Sequence, residues 1–115
     1  MPDNKRPTDQ DYLYHIATEL TFLTRMYDSL SSHDELCKDE VKQRAIIRSI
    51  EIIGEAANNL SDEFTALHPD IPWNALVSTR NRLIHGYFSV SLAIIWSILE
   101  TEVIPLLEQI TPLLE

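Results

Sequence analysis

A chain of 115 residues has room for one core, so a single domain over residues 1–115 is expected, with residues 1–7 as a polar lead-in. Its 44% hydrophobic and 23% charged residues exclude the disordered class, and two glycines with six prolines argue for helices over a sandwich or barrel. Nine Lys and Arg against eighteen Asp and Glu leave a net charge of −9, the wrong sign for a nonspecific nucleic-acid coat, so any action on a polyanion needs a local cationic site.

The first element opens at Thr8, with Asp11 three residues on as a carboxylate form of the capping box. Leu13, Ile16, Leu20, Leu23, Tyr27 and Leu30 follow at alternating steps of three and four, which predicts one long amphipathic helix. Ser31-Ser32-His33-Asp34 ends it. A second helix is expected from Leu36 or Asp39 to Leu60, with Val41, Ala45, Ile46, Ile50, Ile53, Ala57 and Leu60 on its apolar face and Ile47 and Ile52 widening it. Gly54 in mid-helix costs about 1 kcal/mol relative to Ala; beside Ala56 and Ala57 it reads as a close helix crossing. Ser61 caps a short helix that closes before Pro69.

Asp70-Ile71-Pro72-Trp73 starts the next helix, with proline in the first turn, and Gly86 suits its end. Ser89 or Ser91 caps a last helix carrying Leu92, Ile95, Trp96, Leu99, Val103, Leu106, Leu107 and Ile110, kinked at Pro105. The expected fold is therefore all-α, an antiparallel bundle of four long helices plus a short one. Cys37, the one cysteine, excludes an internal disulfide and fits a reducing cytosol. With neither a signal-type leader nor a membrane-length apolar run, a cytoplasmic protein is expected.

The chemical anomaly lies on the helix from Trp73. On a helical wheel Trp73, Leu76, Val77, Leu83, Ile84 and Tyr87 fall within about 60° of Arg80 to either side, so Arg80 sits in the middle of the apolar arc while Arg82 points away. A guanidinium facing a core needs an anionic partner. That partner is either an internal carboxylate, Glu51 or Glu55, or a phosphate brought by a ligand, which the planar fork of arginine suits. Asn81 and His85 are i,i+4 neighbours at the edge of the stripe. An arginine, an amide and a histidine that moves protons near neutral pH make a small kit for phosphodiester chemistry. The competing reading is a structural Arg–Glu pair with a surface histidine at the helix end.

Arg80-Asn81-Arg82-Leu83-Ile84-His85-Gly86-Tyr87 resembles the Arg-x4-His-x-Tyr motif of HepT-like proteins of the HEPN superfamily. Ile52-Ile53-Gly54-Glu55-Ala56-Ala57, Ile71-Pro72-Trp73, and Val90 through Trp96 to Pro105-Leu106-Leu107 resemble its other signatures in family order, from Tyr12 onward. The resemblance implies a dimeric, HEPN-like, metal-independent RNA-cleaving toxin whose partner is a minimal nucleotidyltransferase antitoxin. It implies Arg80, His85 and Asn81 as catalytic residues and Tyr87 as the residue the antitoxin modifies with AMP. No cofactor is called for.

His15 with Glu19 and Glu51 with Glu55 are lone i,i+4 pairs without convincing metal-ligand spacing. Metal-free cleavage through the RNA 2′-OH needs a base and an acid; with one motif histidine per chain, a dimer uniting two His85 side chains would supply both. Lys42, Arg44, Arg48 and Arg82 form either a basic rim for RNA or a solvated face, and from Leu83 onward there is no Lys or Arg. The alternative function is a non-catalytic helical dimer that binds a nucleotidyltransferase partner or a nucleotide phosphate.

Overall fold

A computed structural model describes residues 6–85 and 91–115. The regular elements of the described residues are all helical, with no strand among them. In chain order they form α1 (Asp9–Asp28), α2 (His33–Lys38), α3 (Glu40–Asn59), α4 (Asp62–Leu67), α5 (Trp73–His85), α6 (Leu92–Thr101) and α7 (Val103–Ile110), then a 3₁₀ turn at Thr111–Leu113. α3 is the central rod, packed along α1 on one side and α5 on the other. α7 returns onto α1, and α2 lies against α6.

α1 begins as its sequence dictates. The Thr8 side chain accepts from the Asp11 backbone N–H and the Asp11 carboxylate accepts from the Thr8 N–H, so two otherwise orphaned donors are satisfied reciprocally. Leu13, Ile16, Leu20, Leu23 and Leu30 of the predicted stripe are buried. Tyr27 is half-buried and its ring lies 5.2 Å from that of Trp96. Burying each such aliphatic side chain contributes roughly 1.5–3 kcal/mol, which makes this stripe the spine of the core.

α2 falls outside the sequence expectation. Ser32 caps it by accepting from the Glu35 N–H, while the Glu35 carboxylate accepts from the Ser31 N–H at 2.9 Å. Ser32-x-x-Glu35 is a capping-box sequence, and Leu36, fully buried, anchors the helix to the core. Asp39 then closes α2 and caps α3, so the long second helix starts at Glu40. Val41 was expected on the apolar face but is 78% exposed. Ser49, the buried polar residue of this region, donates to the Glu19 carbonyl across the α1–α3 contact.

Ser61 caps α4 as expected. Pro72 directly precedes α5, its carbonyl accepting from the Leu76 N–H, and Ser91 caps α6 through the Ile94 N–H. The last helix is two helices. They meet at Glu102, three residues before the proline expected to kink them. Pro105 lacks the N–H that would bond to the Thr101 carbonyl, and its ring crowds that carbonyl, so the break falls one turn upstream of the ring. Gly86, Ser89 and Val90, read from sequence as a helix end, an alternative cap and the start of the closing helix, lie outside the described residues. Among the described residues no helix is long and apolar enough to cross a membrane.

Candidate functional site

The site is built where α3 and α5 cross. Gly54 is buried at that crossing, and a Cβ placed on it would lie 2.2 Å from Cβ of Arg80 and 2.6 Å from the Leu76 carbonyl oxygen. Those distances are well inside van der Waals contact, so the two backbones approach as closely as they do because this position lacks a side chain. The mid-helix glycine is a packing requirement, as its sequence context suggested.

α5 turns Trp73 and Leu83 into the core and leaves Leu76 and Val77 half-buried, while Ile84, expected inside the arc, is 38% exposed. Arg80 lies among them, half-buried, with its stem against Gly54. Its Nη1 donates to Oδ1 of Asn81 at 2.8 Å. Its Nε is buried and has no hydrogen-bond partner among the described residues. A buried donor left unsatisfied costs about 1–3 kcal/mol, so the guanidinium is held at a penalty that an arriving acceptor would relieve.

The internal ion pair considered for Arg80 is absent among the described residues. Glu51 faces Arg48 at 3.6 Å, while Glu55 is exposed and forms no ion pair there. Helix geometry accounts for this. Position 54 touches Arg80, so Glu51 and Glu55, three residues before and one after it, leave the crossing on other azimuths and reach solvent or Arg48 instead.

The structure thus brings Arg80 and Asn81 together and leaves His85 exposed at the last residue of α5. Asn81 is in direct contact with the guanidinium. Arginine only donates, so the amide presents its oxygen. Tyr87 lies outside the described residues.

The basic residues of the expected rim are mostly engaged locally. Arg44 pairs with Glu40 at 2.8 Å, Arg48 with Glu51, and Lys42 with Asp39 at 4.0 Å. Arg82 is exposed and forms no ion pair among the described residues. Exposed pairs of this kind contribute little, about 0–1 kcal/mol, and salt or a competing phosphate can displace them. Among the described residues no group of three or more His, Cys, Asp or Glu side chains is placed to hold a metal ion. Cys37 is exposed, with its Sγ 3.5 Å from Nε2 of His33 on the neighbouring turn of α2.

The chain is similar to known proteins over most of its length. Residues 16–113 match the family model described as ribonuclease HepT-like. A protein of Caldanaerobacter subterraneus subsp. tengcongensis, provisionally named an RNase, is 41% identical over 108 residues, covering 94% of this chain and 96% of the relative. A Thermococcus cleftensis protein, provisionally named ribonuclease HepT, is 37% identical over 94 residues, 82% of this chain and 84% of its own. A Methanocaldococcus jannaschii protein with a provisional RNase name is 37% identical over 92 residues, 80% and 75% of the two chains. No solved structure matches. A match across most of the sequence, including both helices of the Gly54–Arg80 crossing, makes this chain a member of the ribonuclease HepT-like family.

Proposed function

We propose that this protein is a metal-independent RNA endonuclease, the toxin of a toxin–antitoxin pair, working as a homodimer with a composite active site. The observation that carries the reading is the Arg80 guanidinium: inward-facing, with no carboxylate partner among the described residues, tied to Asn81 and holding a buried Nε without an acceptor. A structural arginine at a helix crossing would be satisfied there, whereas one prepared for a phosphodiester carries an incomplete donor set until substrate binds. Family membership and the RNase names of the relatives support RNA as that substrate.

In this scheme one His85 takes the proton from the ribose 2′-OH as that oxygen attacks phosphorus. The partner subunit's His85 protonates the departing 5′-oxygen, leaving a 2′,3′-cyclic phosphate and a 5′-hydroxyl. Arg80 stabilises the charge gathering on the phosphoryl oxygens, and Asn81 fixes the guanidinium. Arg82, Arg48, Arg44 and Lys42 would guide the strand once their carboxylate partners are exchanged for phosphate. A minimal nucleotidyltransferase partner would silence the site by adding AMP to Tyr87, putting bulk and negative charge where RNA phosphate must enter.

Purified protein incubated with labelled RNA in excess chelator is expected to cleave it. His85→Ala and Arg80→Ala should each reduce cleavage by at least about 10²-fold with unchanged helical content. Parental cleavage by either folded variant would refute the assignment. The ion-paired state of Lys42, Arg44 and Arg48, with the net charge of −9, favours a second reading, a helical adaptor for a nucleotidyltransferase or its nucleotide. Tight nucleotide binding without cleavage in the same assay would select it.

A further inference from the structure

The guanidinium of Arg80 is aimed by its own helix and by the empty space on the helix opposite. Gly54 of α3 is where the arginine stem crosses: a methyl there would meet Cβ of Arg80 at 2.2 Å, the Leu76 carbonyl oxygen at 2.6 Å and Cγ of Arg80 at 3.1 Å. Two of these three atoms belong to the arginine itself, and the third is backbone of its helix, one turn earlier. The carbonyl oxygen cannot rotate aside, and neither can Cβ, so α3 and α5 must separate or α5 must turn to admit the methyl. Either response carries Arg80 with it. The buried Nε marks the far end of the same constraint, since a stem pressed on Gly54 leaves that N–H inside while Nη1 reaches Asn81.

We infer that Gly54 is a positioning residue for RNA cleavage, setting the depth and direction of the Arg80 guanidinium through the closeness of the α3–α5 crossing. Gly54 itself touches no substrate. The inference rests on the reading of Arg80 as the phosphate clamp and extends it to a residue on another helix. Displacement of a catalytic group by about 1 Å can lower rate by about 10²-fold, so a single methyl at this position is large enough to matter.

Two measurements test it. In the parent protein, the Arg80 Nε–H resonance, assigned by its loss in Arg80→Lys, should exchange with solvent at least about tenfold more slowly than that of exposed Arg82, as a stem pinned inside the crossing requires. In cleavage assays, folded Gly54→Ala should lose about 10–100-fold in kcat/KM. Ile46→Val, a buried change elsewhere on α3 and a control for a modest stability loss, should stay within about twofold of parent. The double variant Gly54→Ala, Arg80→Ala should be no less active than Arg80→Ala alone, since a residue that acts only through Arg80 has nothing left to lose.

Parental kcat/KM in folded Gly54→Ala overturns the inference, as does a double variant whose losses multiply. Exchange of the Arg80 Nε–H as fast as that of Arg82 overturns it too, and that measurement decides the matter should Gly54→Ala fail to fold. Full cleavage by Arg80→Ala would instead refute the underlying reading of Arg80 as the phosphate clamp, a distinguishable result.

Discussion

Two polar regions of this bundle are finished to different degrees. Where α4 begins, the Asp9 carboxylate of α1 accepts from the Ser61 N–H at 2.8 Å and from the Ser61 hydroxyl at 2.7 Å. Nearby, Gln10 donates to the Leu113 carbonyl and accepts from the Glu115 N–H, and the Tyr14 hydroxyl donates to the Glu115 carbonyl. Polar groups there meet partners within the chain, and the result is a seam that holds the C-terminal turn onto α1. At the α3–α5 crossing, by contrast, a buried donor of Arg80 lacks an acceptor among the described residues, and the guanidinium meets the Asn81 amide. The first arrangement maximises stability, and the second gives some up. Polar groups that serve the fold are completed by the fold, and the incomplete donor set of Arg80 is what the proposed phosphate would complete.

Substitutions that remove one region and spare the other test the contrast. The largest effect is expected from Arg80→Met, which keeps an apolar stem of similar reach and deletes the orphaned donor. RNA cleavage should fall by about 10³-fold, as expected when the charge stabilising a phosphoryl transition state is removed. Thermal stability should rise at the same time by about 1 kcal/mol, or about 4 °C in Tm. A melting curve and a cleavage assay moving in opposite directions distinguish a site prepared for substrate from one prepared for the core. A variant that melts lower than parent would mean that the guanidinium is already satisfied.

Asp9→Ala tests the completed seam. Losing both hydrogen bonds to Ser61 should lower stability by about 1–2 kcal/mol by denaturant titration, with kcat/KM for RNA unchanged at temperatures where the variant is folded. A loss of activity without a loss of stability would place Asp9 in the wrong class.

The smallest effect is a dependence on pH at α2. The Ser31 N–H, bonded to the Glu35 carboxylate, holds the Glu35 pKa below its ordinary value. A carboxylate depressed on folding stabilises the folded state above its unfolded pKa, and that contribution fades as pH falls through the folded value. The protection of the Ser31 amide against hydrogen exchange should therefore exceed that of Glu35→Gln at neutral pH, and the difference should close in acid. A difference that instead widens in acid would reverse the sign of the linkage.

How much of this could be read beforehand varied with the kind of force involved. The α1 stripe, the Thr8 box, the Ser61 cap and the Gly54 crossing are local or periodic features, and a single sequence displays them directly. α2 was missed because the Ser31-Ser32 pair reads as a terminator of α1 before it reads as a cap, although Ser32-x-x-Glu35 carried the signal. The break at Glu102 was expected at Pro105, since a sequence shows the ring and hides the carbonyl with which it collides one turn away. In the candidate site, periodicity put Arg80 on the inner arc but could not choose between a carboxylate and a ligand as its partner. That choice depends on the azimuths of Glu51 and Glu55 on a second helix, and only the packed structure fixes those.

The divided end of the chain bears on how force moves through the molecule. An unbroken helix from Leu92 to Ile110 would act as one lever, passing any rotation near α2 straight to the part lying on α1. With the joint at Glu102, both rods rest on α1, but only the first also packs against α2. A partner pressing on the α2–α6 side could thus reorient that rod without prising the terminal turn from the Gln10 and Tyr14 clasp.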